Sequence, residues 1–161
     1  MNESDRILII DDDEYIRITI AMTLKNAGYQ VDTAEDGEEA IKKAAANFYN
    51  LALIDIRLPD MEGTQLLTAL RDTTPKMVKI ILTGYPALEN AIKAINERAD
   101  GYLTKPVKNH ELLKIIKERL ENQKKEREFG QQEVTRFIDS RFKELQTEPQ
   151  KDDRSEVTRS R

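Results

Sequence analysis

Apolar positions follow two rhythms along this chain. Nearly continuous apolar runs occur at "RILII" (6–10), "LALI" (51–54) and "VKIIL" (78–82), with weaker runs at "YQVDTA" (29–34) and "GYLT" (101–104). Short unalternated runs predict strands covered on both faces. Between them, apolar residues fall three and four apart, as on one face of a helix. Ile16, Ile20, Met22, Leu24 and Ala27 mark a first helix over 15–27, with Gly28 placed to end it. A second helix is expected over 36–46. Leu66, Leu67 and Leu70 mark a third, Leu88, Ala91, Ile92 and Ile95 a fourth, and Leu112, Leu113, Ile115, Ile116 and Leu120 a fifth. Strand and helix thus alternate five times. The expected fold is α/β: a five-stranded parallel sheet, doubly wound, with helices on both faces.

The pattern changes near residue 121. "ENQKKERE" (121–128) is polar all round and is helical only as a solvated extension, and Gly130 is placed to interrupt it. Val134, Phe137, Ile138, Phe142 and Leu145 then share one face of a helix over 134–145. Residues 146–161 have little to bury and are expected to be disordered. The expected organisation is one domain over 1–122, a helical extension over 123–145 and a disordered tail over 146–161.

Chemistry-bearing residues gather where strands end. "LIIDDDEYIR" (8–17) runs three apolar residues into four consecutive carboxylates. At about 4 Å each such pair costs roughly 1 kcal/mol in water and about 4 kcal/mol at an effective dielectric of 20. Asp13 and Glu14 fit the start of the first helix, where the dipole favours acids. Asp11 and Asp12 instead follow a buried strand directly. Asp55 ends the third strand, Thr83 the fourth and Lys105 the fifth. Open α/β sheets bind ligands beyond the carboxyl ends of their strands. Three carboxylates on one sheet edge suit a hard divalent cation, and Mg²⁺ takes oxygen ligands of this kind.

Charge and composition narrow the function. The net charge is −4, but residues 1–106 hold 18 acids and 12 bases, while 107–161 hold 12 acids and 14 bases. The acidity sits with the strand ends, and the C-terminal part forms no basic stripe for DNA. Absence of cysteine excludes disulfide and thiolate chemistry. The N-terminus has no signal-peptide pattern and no apolar run approaches 18 residues, so a cytoplasmic protein with no membrane contact is expected. No phosphate-binding loop or dinucleotide fingerprint is visible. His110, the lone histidine, begins the fifth helix and reads as a surface residue.

Over roughly residues 5–122 these features resemble the receiver domain of two-component response regulators. The resemblance rests on Asp11–Asp12 after a strand, Asp55 in "LIDIRLPDMEG" with Pro59, Asp60 and Gly63, Thr83 in "IILTGY", and Tyr102, Lys105 and Pro106 in "DGYLTKPV". It implies a CheY-like sheet of order 2-1-3-4-5. It implies that Asp55 accepts a phosphoryl group from a phosphohistidine on a sensor histidine kinase. Asp12 and Asp55 would ligate Mg²⁺ directly, Asp11 mainly through water, with the Arg57 backbone carbonyl completing the protein's share. Lys105 would contact Asp55 and then the phosphoryl oxygens, across a cis Lys105–Pro106 bond. Thr83 would move toward the phosphoryl group, Tyr102 would rotate inward, and the face over roughly residues 86–120 would change its protein contacts. Such a chain is a signalling phosphoacceptor that catalyses its own phosphorylation and dephosphorylation, not a conventional enzyme. Bulky Arg57 and Tyr85, at positions that tune phosphoryl lifetime in the family, imply slow autodephosphorylation. A haloacid-dehalogenase D-x-D reading at Asp11 and Asp13 is disfavoured, because Tyr15 is wrong for it and Asp152–Asp153 follows no strand.

The C-terminal part leaves alternatives open. Residues 123–161 are too few for a winged helix, which favours a stand-alone receiver over a transcription regulator contacting DNA through its extension. The stripe Val134–Leu145 has three places to go: back onto the receiver, onto a second copy in a homodimer, or onto a downstream partner.

Overall fold

The structure is a computed structural model of the chain, and it describes residues 4–70, 73, 75–84 and 99–147. Five parallel strands form one sheet: β1 (Arg6–Ile10), β2 (Gln30–Ala34), β3 (Leu51–Asp55), β4 (Val78–Thr83) and β5 (Gly101–Thr104), in the order β2-β1-β3-β4-β5. The described helices are α1 (Glu14–Asn26), α2 (Gly37–Ala46), α3 (Gly63–Ala69) and a long C-terminal helix, α4 (Asn109–Thr147). The helix expected around Leu88–Ile95, Tyr85 and residues 148–161 lie outside the described residues.

Sheet position accounts for the strength of each strand's pattern. The three nearly continuous runs became β1, β3 and β4, the interior strands, which are buried almost throughout. The two weaker runs became the edges, β2 and β5, where most residues are half-exposed. Along each interior strand, alternate residues serve opposite faces. Ile7, Ile9, Leu51, Leu53, Ile80 and Leu82 meet Ile20 and Leu24 of α1 and Leu112, Ile116 and Leu120 of α4. Leu8, Ile10, Ala52, Ile54 and Ile81 face Ala40, Leu66 and Leu67 on the other side.

Local signals set the ends of α1. The Asp13 carboxylate accepts from the Ile16 N–H at 3.0 Å, capping the N-terminus. At the C-terminus Gly28 adopts φ +97, and the Gly28 and Tyr29 N–H groups donate back to the carbonyls of Lys25 and Leu24. A residue with a Cβ would be strained in that left-handed position.

The C-terminal region departs from expectation in two ways. First, α4 runs from Asn109 to Thr147 without interruption, so Gly130 does not break it, and Gln146 and Thr147 are helical too. A glycine inside a helix costs only about 1 kcal/mol relative to alanine, which the surrounding helix formers outweigh. The chain divides into two compact units between Lys125 and Glu126. Second, Gln123 is not solvated. It lies inside the supposedly solvated "ENQKKERE" stretch yet is only 6% exposed. Its amide donates to the carbonyls of Asn50 at 3.0 Å and Lys76 at 2.7 Å, and its oxygen accepts from Asn50 Nδ2 at 3.3 Å. Gln123→Ala will remove these three part-buried hydrogen bonds and lower stability by about 1–3 kcal/mol, measured by urea unfolding. The second unit, as far as described, is helix alone, and Val134, Phe137, Ile138, Phe142 and Leu145 are all exposed on it. Among the described residues, no helix is long and apolar enough to cross a membrane.

Candidate functional site at the carboxyl ends of the strands

Sheet register carries four strand ends to one edge. Ile10 pairs with Ile54, Asp55 with Leu82, and Thr83 with Thr104, so Asp11, Asp55, Thr83 and Lys105 follow one another across neighbouring strands. The chain leaves β1 for β2 on one side, while β3 pairs on the other. Asp11 and Asp55 flank that switch point, where α/β sheets open a crevice.

Asp11, Asp12 and Asp55 each offer a carboxylate oxygen within 4.8 Å of the others. Asp11 is fully buried, Asp55 is 6% exposed and Asp12 faces solvent. Lys105 Nζ lies 2.7 Å from Asp11 Oδ2 and 3.3 Å from Asp55 Oδ1, so its ammonium bridges the two buried acids. The other Asp11 oxygen accepts from the Asp13 N–H at 3.0 Å. Arg17 reaches back from α1 and donates to the Asp11 carbonyl at 2.7 Å. The Lys105 backbone N–H donates to the Thr83 carbonyl at 2.6 Å, tying the ends of β4 and β5 together, and the Lys105–Pro106 bond is cis.

One ammonium does not balance this cluster. Burial, then the negative charge of Asp11, pushes the Asp55 carboxyl up to about 6, against the opposing pull of Lys105. Burial alone would lower Lys105, but its hydrogen bond to Asp11 and the charges of both acids hold it above its ordinary value. Three hard oxygen donors with excess negative charge, one of them open to solvent, fit a divalent cation such as Mg²⁺.

The turn after Asp55 is tightly built. The Arg57 N–H donates to Asp55 Oδ1 at 3.4 Å, and Arg57 forms a bridge with Glu62. The Gly63 N–H donates to the Ile56 carbonyl at 2.8 Å. A Cβ on Gly63 would lie 2.2 Å from the Asp55 carbonyl oxygen, so only glycine permits α3 to start so close beneath Asp55.

Among the residues singled out from sequence, the structure brings Asp11, Asp12, Asp55 and Lys105 into one cluster. Thr83 is buried at the adjoining strand end. Tyr102, paired with Ile81, packs against the core, and among the described residues its buried hydroxyl has no hydrogen-bond partner. Asp13 Oδ1 caps α1, and Asp13 is not among the three clustered carboxylates that the D-x-D alternative would need it to join. Sequence reasoning missed the Lys105–Asp11 contact, and it missed Arg17. A basic residue six positions after Asp11, on the first two turns of the following helix, was the available signal for Arg17.

Comparison with known proteins agrees with this geometry. Residues 7–117 match the response regulator receiver domain. The regulatory protein VanRB of Enterococcus faecalis is 40% identical over 113 residues, covering 70% of this chain and 51% of VanRB. The chain spans about half the length of the curated relatives it matches. A CheY-like receiver domain protein from Methanospirillum hungatei superposes with TM-score 0.74 at 46% identity, covering 77% of this chain and 99% of that one. A Burkholderia pseudomallei response regulator, solved with a phosphorylated aspartic acid and a calcium ion, gives TM-score 0.65 at 34% identity, covering 68% of this chain and 65% of its own. Fold, strand-end chemistry and these similarities lead to one conclusion: the chain belongs to the response regulator receiver domain family of two-component systems.

Proposed function

We propose that Asp55 is the phosphoacceptor of this receiver and that a histidine kinase is its donor. The observation that carries the reading is the cluster itself: three carboxylates within 4.8 Å, with Lys105 bridging Asp11 and Asp55. The Burkholderia relative carries a phosphorylated aspartic acid, which supports the assignment. In the reaction, an Asp55 carboxylate oxygen attacks the phosphorus of a phosphohistidine. A P–O bond forms, the P–N bond breaks, and the imidazole nitrogen leaves with the electron pair. With its carboxyl at about 6, Asp55 is mostly ionised at neutral pH and needs no separate base.

Asp12 and Asp55, with the Arg57 carbonyl and Asp11 through water, would hold Mg²⁺. When bound, the ion supplies positive charge to offset the negative charge spread over the transferred oxygens. Lys105, already beside Asp55, exchanges a carboxylate partner for a phosphoryl oxygen. Thr83 can donate one hydrogen bond to the same group. These new contacts bias a two-state equilibrium that includes Tyr102 and the face over 86–120. In this reading residues 1–125 are the receiver, the helix beyond Glu126 belongs to the output side, and the reaction takes place in the cytoplasm.

Incubation with a small acyl phosphate and Mg²⁺ will add the mass of one phosphoryl group. Chelating the metal or replacing Asp55 with Asn will prevent it. An adduct of equal yield on Asp55→Asn would refute the assignment.

A further inference from the structure

The turn that follows Asp55 is clipped to an element that plays no part in the phosphoacceptor cluster. Asp60 Oδ1 accepts from the Gly37 N–H at 2.9 Å, and Asp60 Oδ2 accepts from the Glu38 N–H at 2.8 Å. These are the first two donors of α2. The next, on Glu39, already has the Asp36 carboxylate at 2.8 Å. Contact between the two segments is close: a Cβ on Gly37 would fall 2.4 Å from Met61 Sδ. Gly37 is buried and Glu38 is exposed, so water reaches only part of this helix start. A carboxylate that grips both N–H groups from another element therefore caps α2 and restrains the turn at once. The turn begins at β3, is closed by the Arg57–Glu62 bridge, and is held at its apex by Asp60.

We propose that Asp60 is a positioning residue for the divalent cation: by fastening the 56–63 turn to the N-terminus of α2, it fixes the Arg57 carbonyl relative to Asp55 and so sets metal affinity. The inference rests on the Mg²⁺ reading above. It assigns the α2 terminus a part in ion binding although no α2 side chain belongs to the cluster. Groups that orient metal ligands from one shell out change affinity by about 10–100-fold when lost.

Isothermal titration of the full chain with Mg²⁺, without phosphodonor, tests it. Asp60→Ala will weaken binding about tenfold. Asp60→Asn will fall between it and wild type, because its amide oxygen keeps one N–H bond while its NH₂ opposes the other. Asp60→Asn carries the test if Asp60→Ala does not fold. Mg²⁺ affinity within about twofold of wild type in folded variants whose melting temperature has dropped would reduce Asp60 to a helix cap and overturn the proposal. Absence of Mg²⁺ binding by wild type, or undiminished binding by Asp55→Asn, would instead overturn the cation site, and the proposal with it.

Discussion

Gly63→Ala will destabilise the domain by about 3 kcal/mol or more, the largest loss expected from an alanine at any of the described glycines. The new Cβ would lie 2.2 Å from the Asp55 carbonyl oxygen, 2.9 Å from Ile56 Cα and 3.0 Å from the Asp55 carbonyl carbon. All three are backbone atoms. They cannot swing aside, because Asp55 is paired with Leu82 in the sheet and the Ile56 N–H donates to the Leu82 carbonyl at 3.0 Å. Relief requires moving the start of α3 or the end of β3, and the second displaces Asp55 itself. The other glycines provide the scale. At Gly37 the obstacle is the Met61 side chain, which can change rotamer. At Gly130 nothing lies within 4 Å, and alanine there will stabilise α4 by up to about 1 kcal/mol. Urea unfolding of the three variants will show this order. A Gly63→Ala variant within about 1 kcal/mol of wild type would mean that the turn beneath Asp55 is looser than its geometry implies.

Asp55→Asn will make the metal-free protein more stable at pH 7, by about 2–3 kcal/mol. Asp55 titrates at about 6 in the folded chain against 3.8 for an unperturbed carboxyl. Between those values the folded state holds the extra proton. Stability from this group therefore falls as pH rises through the window from about 4 to 6, and a constant deficit remains above it. Asparagine removes the charge that opposes Asp11 and leaves the 2.7 Å Lys105–Asp11 pair in place. Asp32, Glu39 and Asp60 behave with the opposite sign. Burial works against Asp32, but hydrogen bonds from Tyr49 and Arg6 hold it below the ordinary range. The backbone N–H of Glu35 does the same for Glu39, and that of Gly37 for Asp60. Their contributions are fully present above their ordinary values, about 3.8 for the aspartates and 4.5 for Glu39, and are lost as pH falls through their lowered values, equally in both proteins. The difference between wild type and variant across pH 4–7 therefore isolates Asp55. Added Mg²⁺ will raise wild-type stability by mass action and leave the variant unmoved. Equal stability of the two proteins at pH 7 would show that Asp55 carries no such electrostatic load.

What could be read from the sequence was whatever depends on short range or on a repeating period. The three unbroken apolar runs marked the interior strands because an interior strand is covered on both faces. Asp11, Asp55, Thr83 and Lys105 stood out because each sits where such a run stops. Features that depend on two distant segments meeting were hidden. Nothing in "ENQKKERE" distinguishes Gln123 from its neighbours until the carbonyls of Asn50 and Lys76 are placed beside it. Lys105 was expected against Asp55, yet its shorter contact is to Asp11, 94 residues away. Asp60 was visible as a motif residue, but its grip on α2 depends on how closely two loops approach. Gly130 misled because a glycine's helix penalty is small beside the propensity of the surrounding charged residues.

If separate strand ends assemble one cation-assisted acceptor carboxylate, the phosphoryl group will reside on Asp55. Borohydride reduction of the acyl-phosphate-treated chain, followed by peptide mass mapping, reads it directly, because an aspartyl phosphate is reduced to homoserine. Homoserine is expected at position 55 alone, and only in samples that contained Mg²⁺. Homoserine at any other aspartate, or at position 55 with equal yield after the metal has been chelated, would contradict it.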